Sequence, residues 1–483
     1  MKEMIEKPHA IMFPYPLQGH VIPFVNLAIK LASDGFTITF INTESIHHQI
    51  CQSRGINPEK GDIFLGARAS GLDTRYATVS DGFPLGFDRS LHHDEFFEGI
   101  MHDFPTRVDD LVGEMVRQDP TINTLIVDTF YVWPSSIARK HNLVNVSFFT
   151  EPALVLTSYY HVHLLKKNAH FASSTRNRSD EIDYIPGVKS IATADLPSYL
   201  QAEECDTNTT VHRIIDRCFN DAKKADFMLC NTVEEFEQDT ISALQENQPF
   251  YSIGPVFPPD FTKNRIATSL WTESDCTPWL DTKARGSVLY VSFGSYAHTS
   301  KHVIEEVANG LLLSGVNFIW VVRPDIVGSD HPEVLPVGFE QQVEGRGLVV
   351  PWCCQMEVIS HRSVGGFLTH CGWNSILESI WCGVPLICYP LLTDQFTNRK
   401  LVVDDLKIGI NLCDKKLTPS RKGVAERVNY LMRSEEIKQR MKEIGKILVD
   451  ATEKEGSSTV NFNRFVEDLM ARVAMNKGDV NDN

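Results

Sequence analysis

The chain has 483 residues, 42% hydrophobic and 22% charged, a globular composition in a length that exceeds one ordinary core and predicts two large domains. Its net charge of −16, with no concentrated basic run, excludes a surface built to neutralise nucleic-acid phosphates. No stretch of ~18 apolar residues occurs, so no membrane-spanning helix is expected.

Ala10 to Phe13 reads as a short strand. It leads through Pro14-Tyr15-Pro16-Leu17-Gln18-Gly19-His20 into helical apolar spacing from Val21 to Ala32, with Pro23 expected inside that helix's first turn. Phe36 to Ile41 is a β-branched run, Leu125 to Val127 a strand that stops at Asp128, and Val146 to Phe149 another that stops at Thr150. This alternation predicts a parallel sheet wound on both faces. Residues 160–210 read as polar and irregular, with the run around residues 173–181 as a surface loop. The stretch 253–277, rich in proline at its start and poor in periodic apolar residues, reads as an interdomain linker.

A second α/β alternation begins at Ser287 to Phe293, followed by Gly294-Ser295, and continues through Asn317 to Val322 and Leu348 to Val350. The most informative segment then runs from Trp352 to Gln395. Gly365 to Thr369 is a buried strand, His370-Cys371-Gly372 a turn, Trp373 to Trp381 a helix and Val384 to Tyr389 a strand. The last ~60 residues read as helical (Arg421 to Arg433, Glu435 to Glu453, Ser458 to Val473), ending in a polar tail expected to be disordered.

Strand, glycine turn and helix N-terminus form a phosphate-binding arrangement. Here the turn adds His370, Asn374 and Ser375 as hydrogen-bond donors. Glu378 lies one turn beyond Asn374 on the same helical face, where a carboxylate suits the two hydroxyls of a ribose. Trp352 offers a flat surface for a base, and Asp394 with Gln395 suits the hydroxyls of a sugar. Those positions together resemble the donor-binding box of the plant UDP-dependent glycosyltransferases of family 1, matching in Trp352, Gln355, the His370–Ser375 run, Glu378, Gly383-Val384-Pro385 and Asp394-Gln395. Cys353-Cys354 and Trp381-Cys382 depart from the commoner residues. Cys353 is expected to meet the base through its backbone, and Trp381 to pack at the buried end of its helix.

The resemblance implies a GT-B fold, two Rossmann-like doubly wound domains facing across a cleft, with residues 1–252 binding the acceptor and 278–460 the UDP-sugar. It implies that a helix over 461–475 returns to the first domain, leaving 476–483 as the tail. It also assigns roles. Ligands in such sheets sit beyond the strands' carboxyl ends, where His20 and Asp128 meet if their strands are neighbours. These two match the family's base and orienting carboxylate: the imidazole takes the acceptor hydroxyl's proton while the carboxylate stabilises the imidazolium. The displacement is single and inverting, so no protein nucleophile is required. Ser295 matches a phosphate-contacting position, Thr150 one that reaches the sugar's 6-hydroxyl, and Trp373 belongs to the helix that receives the diphosphate. Gln18 is a further candidate for the diphosphate, and Gln395 points to glucose, since some galactose-using members carry histidine there. Phe83, Phe87, Phe96 and Phe97 lie where the family builds its acceptor pocket, although core packing explains them equally well.

No metal site is expected. No paired acidic motif follows a strand in the second half, since Asp404-Asp405 falls in a helical stretch. The adjacent pairs His47-His48 and His92-His93 point apart on a helix. Eleven cysteines without paired spacing fit a reducing compartment, and the N-terminus lacks the uninterrupted apolar core of a signal peptide, so a cytoplasmic location is expected. The expected function is transfer of glucose from UDP-glucose to a hydroxyl, or a carboxyl, of a small lipophilic acceptor, without cofactor, nucleic acid, integral membrane association or obligate protein partner. Two rivals are a non-catalytic nucleotide-sugar-binding protein and the same chemistry with another UDP-sugar. A nicotinamide oxidoreductase is excluded because neither half carries GxGxxG after a strand.

Overall fold

The structure, a computed structural model, describes residues 8–171, 180–202, 209–258, 266, 268–328, 334–413 and 418–481. It divides into two compact units: residues 1–193, 199–270 and 451–483 form one, and residues 194–198 with 271–450 form the other.

The first unit is built on β1 (His9–Phe13), β2 (Thr37–Thr43), β3 (Thr74–Val79), β4 (Ile122–Asp128) and β5 (Val144–Phe149). A two-stranded antiparallel ribbon, β6 (Glu181–Ile182) with β7 (Ile191–Ala192), precedes β8 (Phe227–Cys230) and β9 (Phe250–Ser252). The main sheet has the order β3-β2-β1-β4-β5-β8-β9, with every pairing parallel. A parallel sheet needs helices on both faces, and its inner strands lose their polar alternation. β1 and β5 are accordingly buried at every residue. The second unit's sheet comprises β10 (Val288–Ser292), β11 (Asn317–Val321), β12 (Gly347–Val350), β13 (Val364–Thr369), β14 (Leu386–Cys388) and β15 (Gly409–Asn411), in the parallel order β12-β11-β10-β13-β14-β15. In each unit the chain starts mid-sheet, winds outward to one edge and then crosses back, which creates the order reversal where doubly wound sheets bind ligands.

Several boundaries differ from the sequence reading. The first helix begins at Gln18, not Val21, so Pro23 lies past the first turn. β3, β8, β9 and β15 carry too few residues, or too mixed a burial, to show periodicity. Within the stretch read as irregular, described residues form the helix Val162–Lys167 and the β6–β7 ribbon, whereas the expected surface loop lies mostly outside the described residues. The division at 270/271 falls inside the stretch read as linker. Ile253 and Val256 are buried in the first unit's core, while Ser274 pairs with Cys353 in the second. The last helix, Ser457–Asn481, extends past residue 475, where a disordered tail was expected to begin. Its Phe462, Phe465 and Leu469 are buried in the first unit's core.

Candidate active site

In the first unit β1 and β4 are direct neighbours, with Phe13 opposite Val127. Their carboxyl ends therefore deliver the turn before His20 and the end-of-strand Asp128 to the same place. His20, in the first turn of the helix Gln18–Ser33, bonds through Nδ1 to Asp128 Oδ2 at 2.8 Å. Asp128 is buried, and its Oδ1 accepts the Phe130 N–H at 3.0 Å, so the carboxylate is held at both oxygens. An ionised carboxylate only accepts. The imidazole proton on this side is thus on Nδ1, and Nε2 has no partner among the described residues.

Thr150, at the end of β5, lies with Oγ1 3.2 Å from the same Nδ1, which joins it to the pair. Gln18 starts the helix, and its Oε1 is buried without a partner among the described residues. Two rings not singled out from sequence flank the imidazole. Tyr15 has its centroid 5.7 Å away, and Phe130 meets it edge-on at 5.5 Å. Both belong to the motifs that carry His20 and Asp128, which is the signal that marks them. Phe97 is packed against Tyr15, whereas Phe83 and Phe87 stack on each other at 4.6 Å and stay half-buried. Phe96 is a core residue.

In the second unit the phosphate-type turn follows β13. Cys371 takes a left-handed backbone (φ +69°), and Gly372 caps the helix Trp373–Cys382 with no side-chain bond to its first turn. The positive helix end therefore has no capping side chain from its N-cap residue. His370 is enclosed between two glycines. A Cβ on Gly294 (φ +76°) would come within 2.4 Å of its ring, and one on Gly372 within 2.6 Å. Burial, with the Arg323 guanidinium nearby, lowers His370 to about 4, so the ring is neutral at pH 7, and its Nδ1 is buried without a partner among the described residues. Ser295 sits on the loop after β10, the strand beside β13.

The ribose and base candidates also converge. The Gln355 amide donates to Glu378 Oε2 at 2.7 Å and to Ser375 Oγ at 2.9 Å, and Tyr290 Oη donates to Gln355 Oε1 at 3.4 Å. Glu378 is buried on the helix that carries Asn374. Trp352 is partly exposed, with Trp271 6.3 Å from it. Cys353 is buried and pairs as a bridge with Ser274.

Asp394 and Gln395 are buried at the start of the helix Gln395–Lys400. Gln395 Oε1 accepts the Leu391 and Leu392 N–H groups at 2.9 and 3.1 Å. The amide read from sequence as donor and acceptor therefore retains only its N–H pair for a ligand. Asp394 is bonded by Thr393 and Asn398. Trp381 is only half-buried, less than its expected packing role requires. Asp404 and Asp405 pair with Arg399 and Lys400.

Comparison with known proteins finds relatives that cover nearly the whole chain. The sequence profile of the family described as "UDP-glucoronosyl and UDP-glucosyl transferase" matches residues 275–462. UDP-glycosyltransferase 86A1 of Arabidopsis thaliana is 61% identical, over 98% of this chain and 97% of its own length. UDP-glycosyltransferase 86A2 of the same plant is 55% identical, over 97% and 96%. Among solved structures, Phytolacca americana UGT2, complexed with UDP-2fluoro-glucose and pterostilbene, superposes with a TM-score of 0.76 at 26% identity, over 96% of this chain and 99% of that one. The likeness identifies the fold as GT-B.

Proposed function

The chain belongs to the UDP-glycosyltransferase family, and on that premise we propose that it transfers glucose from UDP-glucose to a hydroxyl of a small lipophilic acceptor, with His20 as general base. The observation that carries this reading is the 2.8 Å bond from His20 Nδ1 to Asp128, which leaves Nε2 as an unengaged base. As the acceptor oxygen attacks the anomeric carbon, its proton passes to Nε2, and Asp128 stabilises the imidazolium that forms. The C1–O bond to the diphosphate breaks in the same displacement, so the configuration at C1 inverts and UDP leaves. The leaving charge is taken by the Trp373 helix end, His370, Asn374, Ser375 and Ser295, which supports a mechanism with no metal. Glu378 and Gln355 hold the ribose, Trp352 and the Cys353 backbone the uracil, and Asp394 with the Gln395 amide N–H the sugar hydroxyls.

A hydroxyl is favoured over a carboxyl because apolar rings, those of Tyr15 and Phe130, border His20. The protein is expected to act in the cytoplasm. The test is UDP release from UDP-glucose with pooled phenols, alcohols and acids, with UDP-galactose in parallel and EDTA in a second series. Acceptor-dependent release from UDP-glucose that EDTA leaves unchanged supports the whole reading. Release restored only by a divalent ion overturns the metal-free mechanism. UDP binding without release from any pool favours a non-catalytic nucleotide-sugar-binding protein.

A further inference from the structure

Arg323 is fully buried, yet its guanidinium has no role in the reaction described above. It follows β11, and its donors go to a neighbouring loop. Nη1 donates to the Gly294 carbonyl, Nη2 donates to the Ala297 carbonyl at 2.9 Å, and Nε donates to Asp325 Oδ1 at 2.9 Å. Asp325 in turn receives the His298 Nδ1–H on its backbone carbonyl at 2.8 Å. The clamped loop, Gly294 to His298, follows β10, which lies between β11 and β13. One face of it is pressed against His370: the φ of +76° at Gly294 and the short approach to the imidazole leave no room for a side chain. Burying a guanidinium is costly unless every donor direction is met. This one is met by two loop carbonyls and the Asp325 carboxylate, so part of the cost is tied to one conformation of the loop.

We propose that Arg323 is a positioning residue for the donor's diphosphate: it locks the Gly294–Ala297 loop so that Ser295 and His370 are preset around the phosphates before the nucleotide arrives. The inference rests on the proposed UDP-sugar site. A rigid loop offers its donors without an ordering cost on binding, and that gain applies to the phosphate part of the ligand alone. The same guanidinium contributes to keeping the His370 ring neutral. That ring accordingly meets the diphosphate as a neutral hydrogen-bonding group in a fixed place.

Arg323→Lys tests this, because lysine keeps the charge but cannot reach three acceptors in three directions. Dissociation constants of UDP and of uridine are measured by calorimetry for the wild type, Arg323→Lys and Asp325→Ala. The last variant removes only the half-exposed carboxylate that holds Nε and bears less on folding. The expected result is a rise of about 10-fold or more in the UDP constant for Arg323→Lys, and a smaller rise for Asp325→Ala. Uridine should stay within about 2-fold of the wild type in both. Equal weakening of UDP and uridine would reduce Arg323 to a general structural residue and overturn the proposal, as would unchanged UDP binding in both variants. If Arg323→Lys does not fold, Asp325→Ala decides alone on the same criterion. A wild type that fails to bind UDP would instead refute the nucleotide site itself.

Discussion

At the scale of single residues, the chemistry depends on which atoms are already spoken for. His20 Nδ1 is bound to Asp128, so if His20 is the base proposed above, replacing the imidazole should remove that base without touching the nucleotide. His20→Ala is expected to lower turnover by about 10²- to 10⁴-fold while the UDP dissociation constant stays put. Coupled UDP-release kinetics and calorimetry on the same sample check this, and undiminished turnover would remove His20 from the mechanism. Glu378 is engaged by Gln355 and still faces the ribose role. Its replacement by alanine should weaken UDP by about 10- to 100-fold, the loss of a charge-assisted bond. An unaltered constant would reassign it to holding Gln355. His20, Asp128 and the donor box were legible because their residue types occur in order at strand ends. The commitment of Gln395 Oε1 to two backbone N–H groups was not legible, since a turn's closure is invisible in spacing.

Elements add what no residue has alone. The Trp373 helix offers its positive end because Gly372 supplies no capping side chain, and the loop after β10 can lie against His370 because Gly294 has none either. The final helix is an example in the other direction. Its periodicity was plain from sequence, but nothing in that pattern says which sheet its apolar face covers. The structure buries Phe462 and Phe465 in the first unit, with Lys30 4.5 Å over the Phe462 ring and Tyr251 Oη donating to Asp468 at 2.6 Å. Phe465 contacts Phe227 and Tyr251 and is fully buried. Phe465→Ala should cost about 3 kcal/mol or more, the usual result of a large cavity. Urea unfolding measures it; a loss under about 1 kcal/mol would mean that the helix contributes little to that core.

For the whole molecule, two imidazoles held well below their ordinary pKa, one in each unit, contribute a pH response. Burial, with Arg75 adding to it, pushes His9 down to about 4, and His370 sits at a similar value. Both are neutral when folded and take up a proton near pH 6.5 when unfolded. Stability is therefore complete above about pH 6.5 and is lost as the pH falls toward 4. For His9, held between Thr39 and Thr121, the loss amounts to at most about 3 kcal/mol. His9→Gln keeps neutral hydrogen bonds, so its stability should fall less between pH 7 and pH 4.5 than that of the wild type. Identical slopes for the two proteins would show that His9 is not a source of acid sensitivity.

The sequence by itself determined the α/β rhythm, which follows from local periodicity, and it marked His20, Asp128 and the nucleotide box as candidates, because their residue types stand at strand ends in the order the resembled family has. Only the tertiary structure decided that residues 194–198 join the second unit. There Ser198 and Thr393 exchange two bonds, Ser198 N–H to Thr393 O at 2.9 Å and Thr393 N–H to Ser198 Oγ at 2.8 Å, and Asp195 pairs with Arg399. It alone also showed Arg323 bonded to the loop after β10. Contacts between residues far apart in the chain leave no periodic trace, because what selects them is the free energy of burying groups together, and that exists only once the chain has folded.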